Sequence, residues 1–191
     1  MNRQVRWAAT QVMGLEHLVV RSDQRGIHAD GVVIGGDNES PTIWTVTYEV
    51  ECTPDWRARR VVVVEHAGGR RLDLVGDGRG TWTDGDGRPL KSLAGCIDID
   101  IQATPFTNTL PIRRLGLRTG ASATIQVVYI PMPDLVPMAV EQRYTALGTD
   151  RWRYEQPGSG FSVELTTDPD GLVVDYPGFF RRLEEIGNQP E

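Results

Sequence analysis

The chain has 191 residues, 39% of them hydrophobic and 24% charged, which fits a soluble protein with its own core and argues against disorder. A net charge of −6 speaks against a general binder of phosphate backbones, so no nucleic-acid partner is expected. No apolar stretch approaches the ~20 residues that span a bilayer, and the longest pure run, Val61 to Val64, is the size of a strand.

The opening MNRQVRWAATQ carries two arginines with no apolar run behind them. No secretory signal is therefore expected, and the cytoplasm is the expected compartment. Cys52 and Cys96 form neither a metal-ligand set nor a dense disulfide framework, and in a reducing compartment both are expected as free thiols. The Asn38-Glu39-Ser40 sequon then has no role. Lys91 is the only lysine among 20 cationic residues. The pairs Arg59-Arg60, Arg70-Arg71, Arg113-Arg114 and Arg181-Arg182 offer guanidinium groups to an acidic head group, although solvated faces account for most of them.

In chain order, the predicted elements are strands. Segments 15–21 and 27–34 come first, then 42–51, where Trp44, Val46, Tyr48 and Val50 alternate with Thr45, Thr47, Glu49 and Glu51. Strands at 57–66, 70–75 and 79–83 follow, separated by Ala67-Gly68-Gly69 and Gly76-Asp77-Gly78. Beyond the Asp84-Gly85-Asp86-Gly87 turn, a strand at 96–102 alternates Ile97, Ile99 and Ile101 with Asp98, Asp100 and Gln102. Segment 104–120 has room for a turn of helix, since Pro105 and Pro111 break any long one. Strands at 124–130, 140–147, 150–156, 161–167 and 171–176 complete the series. A short helix is predicted over Phe179–Ile186, where Phe179, Phe180, Leu183 and Ile186 share a face.

About twelve alternating strands predict a mainly β fold, with one or two short helices. The expected architecture is a single domain over 1–191, a curved antiparallel sheet forming an open or closed barrel. A barrel wider than about eight strands must be plugged by an inserted segment, occupied by a ligand or flattened into a sandwich. Segments 44–82 and 125–178 both end in Asp-Gly hairpins, the trace of a weak internal duplication or of reused turn chemistry.

Several segments resemble the bacterial family named "putative glycolipid-binding". They are GLEHLVV (14–20), GVVIGG (31–36), CTPDWRARR (52–60), DGRGTW (77–82), GCIDIDIQATPFTNTLPIRRL (95–115), EQRYTAL (141–147) and DGLVVDYPGFFRR (170–182). The resemblance covers nearly the whole chain. It implies a barrel-like antiparallel sheet, similar in outline to bacterial lipoprotein-localisation factors, and a lipid or glycolipid ligand. It brings no established catalytic residues.

Segment 95–115 concentrates the chemistry. Alternation sets Asp98 and Asp100 on one strand face, about 7 Å apart. Thr104, Thr107, Asn108 and Thr109 follow, then Arg113 and Arg114. Carboxylates, hydroxyls, an amide and guanidinium groups suit a hydroxyl-rich sugar. They also suit a structural plug whose carboxylates pair with the arginines. The candidate ligand-binding residues are Asp98, Asp100, Thr107, Asn108 and Arg113, with Arg143 and Tyr176 added from segments 141–147 and 170–182.

Asp98-Ile99-Asp100 matches the bare D-x-D pattern of glycosyl transfer, but no βαβ unit or Gly-rich phosphate loop accompanies it. Counted from Asp84, the twelfth position that an EF-hand reserves for an acid is Gly95. Glu16-His17 and Glu65-His66 are strand neighbours that point to opposite faces, and no HExxH or GxSxG is present. No catalytic residue, metal or cofactor is expected. YIPMPDLVPMAV (129–140), with Pro131, Pro133 and Pro137, reads as an irregular apolar lip or an edge connection. The expected function is non-catalytic binding of an amphiphilic small molecule, a lipid or glycolipid, in a barrel cavity. The alternative is an enzyme on carbohydrate or lipid-linked substrates, with interior carboxylates such as Asp98 paired with Glu141 or Asp175.

Overall fold

Apolar residues at every second position must find a common buried side, and they do so here in one sheet. A computed structural model describes residues 1–36 and 43–183. The strands of its first half are β1 (Asn2–Ala9), β2 (Leu15–Ser22), β3 (Ile27–Gly36), β4 (Ile43–Cys52), β5 (Ala58–Glu65), β6 (Arg70–Gly76) and β7 (Trp82–Asp84). A crossover then leads to β8 (Asp98–Ile101), a 3₁₀ turn (Phe106–Asn108) and the helix α1 (Thr109–Leu115). The second half contains β9 (Ser122–Ile130), β10 (Met138–Ala146), β11 (Arg151–Gln156), β12 (Phe161–Thr167), β13 (Val173–Tyr176) and β14 (Phe180–Arg182).

All fourteen strands belong to one sheet, in the order β7-β6-β5-β4-β3-β2-β1-β14-β13-β12-β11-β10-β9-β8. Neighbours are antiparallel except β8, which runs parallel to β9. The ladder is not closed between β7 and β8. There the Trp82 indole donates to the Cys96 carbonyl at 2.7 Å, and the amides of Gly95 and Ala58 reach the carbonyls of Gly80 and Ile97. The curled sheet buries one large apolar cluster in which Val46, Val50, Val61 and Val63 meet Ile99, Ile101 and Phe106. A smaller cluster, around Tyr144, Trp152, Leu165 and Ile112, lies against the second half.

Two strands exceed the sequence expectation of about twelve, and one predicted helix is corrected. In β1 only Val5 and Trp7 are fully buried, so its alternation is short and diluted by arginines. Phe180–Arg182, predicted as helix, is strand β14, paired with both β1 and β13. The Leu183 amide donates to the Arg6 carbonyl, so partner strands override the local helical pattern. The rest of that predicted helix, from residue 184, lies outside the described residues, as does the Asn38-Glu39-Ser40 sequon.

Local chemistry explains the connections. The carboxylates of Asp77, Asp84 and Asp168 accept backbone amides two and four residues on, which makes these turns self-capped. Those amides hold the Asp77 carboxyl down at about 2. Pro111 sits in the first turn of α1, where it costs no helical hydrogen bond, and Gly116 ends the helix at φ 53°. Pro131, Pro133 and Pro137 all fall in the loop between β9 and β10. Gly31 is required by close approach: a Cβ there would stand 2.1 Å from the Tyr48 ring. Cys52 and Cys96 are buried and unbridged. Among the described residues, no helix is long and apolar enough to cross a membrane.

Candidate ligand-binding site

Strand β8 divides the space inside the curled sheet. Ile99 and Ile101 join the large apolar cluster, while Asp98 and Asp100 face α1 and β10, through Arg114 and Gln142 respectively. On the aspartate side lies an open cavity of about 480 Å³ lined by Asp100, Asn108, Tyr129, Tyr154, Phe161 and Tyr176, among others. That volume is within the ordinary range for small-ligand sites.

Its polar wall is a connected network. Asp100 accepts hydrogen bonds from the Gln142 amide at 2.5 Å and the Thr107 hydroxyl at 3.4 Å. The Tyr144 hydroxyl donates to Asn108 Oδ1 at 2.9 Å, and Gln156 donates to the Tyr154 hydroxyl at 2.6 Å. Burial raises the Asp100 carboxyl to about 6, against the pull of its hydrogen bonds. Burial first, and Asp100 next, push the phenols of Tyr129 and Tyr176 up, Tyr129 to about 12. These tyrosines are therefore neutral donors across the physiological range. The opposite wall is aromatic: Tyr154 meets Phe161 and Tyr176, and Phe179 lies 4.9 Å from the Tyr176 ring centre.

A second open cavity, about 440 Å³, adjoins the first and shares Gln102, Phe179 and Phe180 with it. Its lining is mostly apolar and includes Val12, Leu15, Val33, Ile34, Trp44 and Met132. Gly35 keeps it open beside Trp44, since a Cβ there would come within 2.7 Å of the indole. Behind both cavities, Glu16 is buried on β2, bonded to the hydroxyls of Thr104 and Tyr48. Burial raises its carboxyl to about 8, and its Oε2 has no hydrogen-bond partner.

The sequence-predicted residues separate into two groups. Asp100, Asn108 and Tyr176 line the polar cavity, and Thr107 supports Asp100 from behind. Asp98 instead takes a bidentate bond from Arg114, whose Nε lies 2.9 Å from Oδ1, in a buried pair. Arg113, next along the helix, turns outward, with its guanidinium 5.6 Å from the Trp56 ring centre. Arg143 is exposed on the outer face of β10, 3.9 Å from Glu155. Strand parity explains that placement: Gln142, Tyr144 and Ala146 are buried, so residue 143 must point away. Gln142, Tyr129 and Tyr154 are the functional candidates the sequence reading passed over, and the same parity singles out Gln142. The carboxylate partners weighed for Asp98 are not gathered either: Glu141 is exposed, and Asp175 pairs with Arg181 at 3.5 Å.

The model of the family described as "Putative glycolipid-binding" matches residues 4–182. The chain belongs to this family. Among solved structures it is similar to a DUF1089 family protein from Pseudomonas aeruginosa, at 42% identity and a TM-score of 0.80. That match covers 88% of this chain and 92% of the other. No curated protein matches the chain. The family match spans β8, α1 and both cavities, so the site lies within the part of the chain that defines the family.

Proposed function

We propose that the protein binds a neutral amphiphile, with a hydroxyl-rich head in the polar cavity and its apolar portion in the adjoining one. The carrying observation is the shared wall: Gln102, Phe179 and Phe180 border both spaces. The head is read as neutral because the polar cavity offers a carboxyl, amides and phenols, and no cationic side chain among its described lining residues. A phosphate head would meet Asp100 unaided, whereas sugar hydroxyls both donate and accept. Aromatic rings such as Phe161 and Phe179 would pack the apolar face of a sugar ring. Family membership supports the same ligand class.

Asp100 is the only carboxylate lining this cavity among the described residues. Glycoside hydrolysis ordinarily uses two flanking carboxyl groups, which favours binding over hydrolysis. The test uses a short-chain alkyl glycoside below its micellar concentration and the matching alkyl phosphate, by calorimetry. The glycoside is expected to bind and the phosphate not. Asp100→Ala is expected to weaken glycoside binding by roughly 1.5–3 kcal/mol, about 10- to 100-fold. Binding of neither probe by the wild type, or an Asp100→Ala affinity equal to wild type, would overturn the reading.

A further inference from the structure

The strand register assigns the connections to one of two ends of the sheet, apart from the turn with Asp84, Asp86 and Arg88, which folds back beside the middle of β6, and the two ends differ in chemistry. At one end lie the connections 23–26, 53–57, 77–81, 116–121, 147–150 and 168–172. They carry ten charged side chains, among them Asp23, Arg57, Asp77, Arg118, Asp150 and Asp168. At the other end lie 10–14, 66–69, 102–105, 131–137, 157–160 and 177–179. These hold one formal charge, Asp134, and Arg70 stands 3.9 Å from it. The β3–β4 connection also belongs to this end, but its residues 37–42 are outside the described ones and carry no part of the inference.

This weakly charged end also carries the most exposed apolar side chains. Met13 is 94% exposed, Ile43 73% and Val136 62%, with Ile34 and Phe179 beside the cavities also exposed. Singly exposed apolar side chains are ordinary, but here the most exposed ones gather at one end of the sheet. They come from separate places in the chain: the β1–β2 connection, the start of β4 and the β9–β10 connection. The apolar cavity opens among them: Gln11, Val12, Met132, Pro133 and Phe179 belong both to its lining and to these turns.

We propose that this end of the sheet docks on the surface of a lipid bilayer, its apolar tips entering the headgroup region, and takes the amphiphile directly from the membrane. The occupant is argued from continuity: the tips lie in the same turns that line the apolar cavity, proposed above to take the apolar portion of an amphiphile. Its low charge fits a neutral lipid surface, because docking there needs no anionic lipid. The inference rests on the amphiphile reading of the two cavities, and its test is arranged so that the two can fail separately.

The probes are phosphatidylcholine vesicles, followed by co-sedimentation, and the soluble alkyl glycoside, followed by calorimetry. Met13→Asp and Val136→Asp alter exposed positions that do not line either cavity. The wild type is expected to sediment with vesicles almost independently of salt, because few charges take part. Each variant is expected to lose vesicle binding about tenfold or more while binding the soluble glycoside as the wild type does. Wild type that binds the glycoside but not vesicles overturns the docking proposal and leaves the cavity reading standing. Binding of neither probe removes both. Variants that still sediment like wild type overturn the proposal. So does a wild-type dimer in solution that either variant splits, which would make this end a contact between two copies of the chain.

Discussion

Replacing Arg114 with alanine is expected to lower the unfolding free energy by about 3–5 kcal/mol, because it strands the buried Asp98 carboxylate. In a chain of this size that corresponds to a fall in melting temperature of roughly 10 °C or more. Asp98 is where the competing plug and ligand readings of segment 95–115 diverge. Burial already raises its carboxyl, and the Arg114 guanidinium opposes the rise. Replacing both partners together, as Asp98→Leu with Arg114→Met, is expected to recover much of the loss, since no unpaired charge remains. Thermal unfolding of the two variants beside calorimetry with the alkyl glycoside checks the assignment. An unchanged melting temperature with lost glycoside affinity would instead give Asp98 and Arg114 a ligand-binding role.

The second large effect concerns Glu16 and pH. Burial raises its carboxyl from 4.5 to about 8, so the folded protein holds this proton more tightly than the unfolded chain does. The corresponding stability is fully present below about 4.5 and is lost as pH rises through about 8. The total loss is on the order of 5 kcal/mol. Asp100 contributes in the same direction, but only between its ordinary value and about 6. Chemical denaturation across this range should therefore show wild-type stability falling toward alkaline pH. Glu16→Gln, which cannot ionise, should show a flatter profile, with the difference from wild type building between about pH 4.5 and about 8 while Asp100 titrates alike in both proteins. Parallel profiles for the two proteins would show that Glu16 is not the group responsible.

Most of the sheet was legible because alternation is a local signal: each one-sided strand repeats its pattern over several residues. The signal weakens where strands are short or supported by distant neighbours. Strand β1 shows only Val5 and Trp7 as its fully buried side, and β14 spans three residues between two partner strands. The site was legible in part. Asp100, Asn108 and Tyr176 lie at the cavity because segment 95–115 and strand β13 both reach it. Telling Arg113 from Arg114 depended on the rotation of α1, which two adjacent identical residues do not reveal. Glu16 was hidden for a different reason. Its raised pKa comes from burial by strands far along the chain, and its partner Thr104 is 88 residues away.

The order of strands also bears on how the chain assembles. Every neighbouring pair but β1–β14 joins strands consecutive in the chain. Two meanders, β1 to β7 and β9 to β14, can therefore zip from hairpin to hairpin over short loops, with β8 added in parallel through the α1 crossover. The exception joins Trp7–Ala9 to Phe180–Arg182, across nearly the full length of the chain. Closing so long a loop before the meanders exist would be entropically expensive, while closing it afterwards joins two surfaces already formed. The three-residue seam between β1 and β14 is thus the expected last step of assembly, and its residue Phe180 lines the wall shared by both cavities.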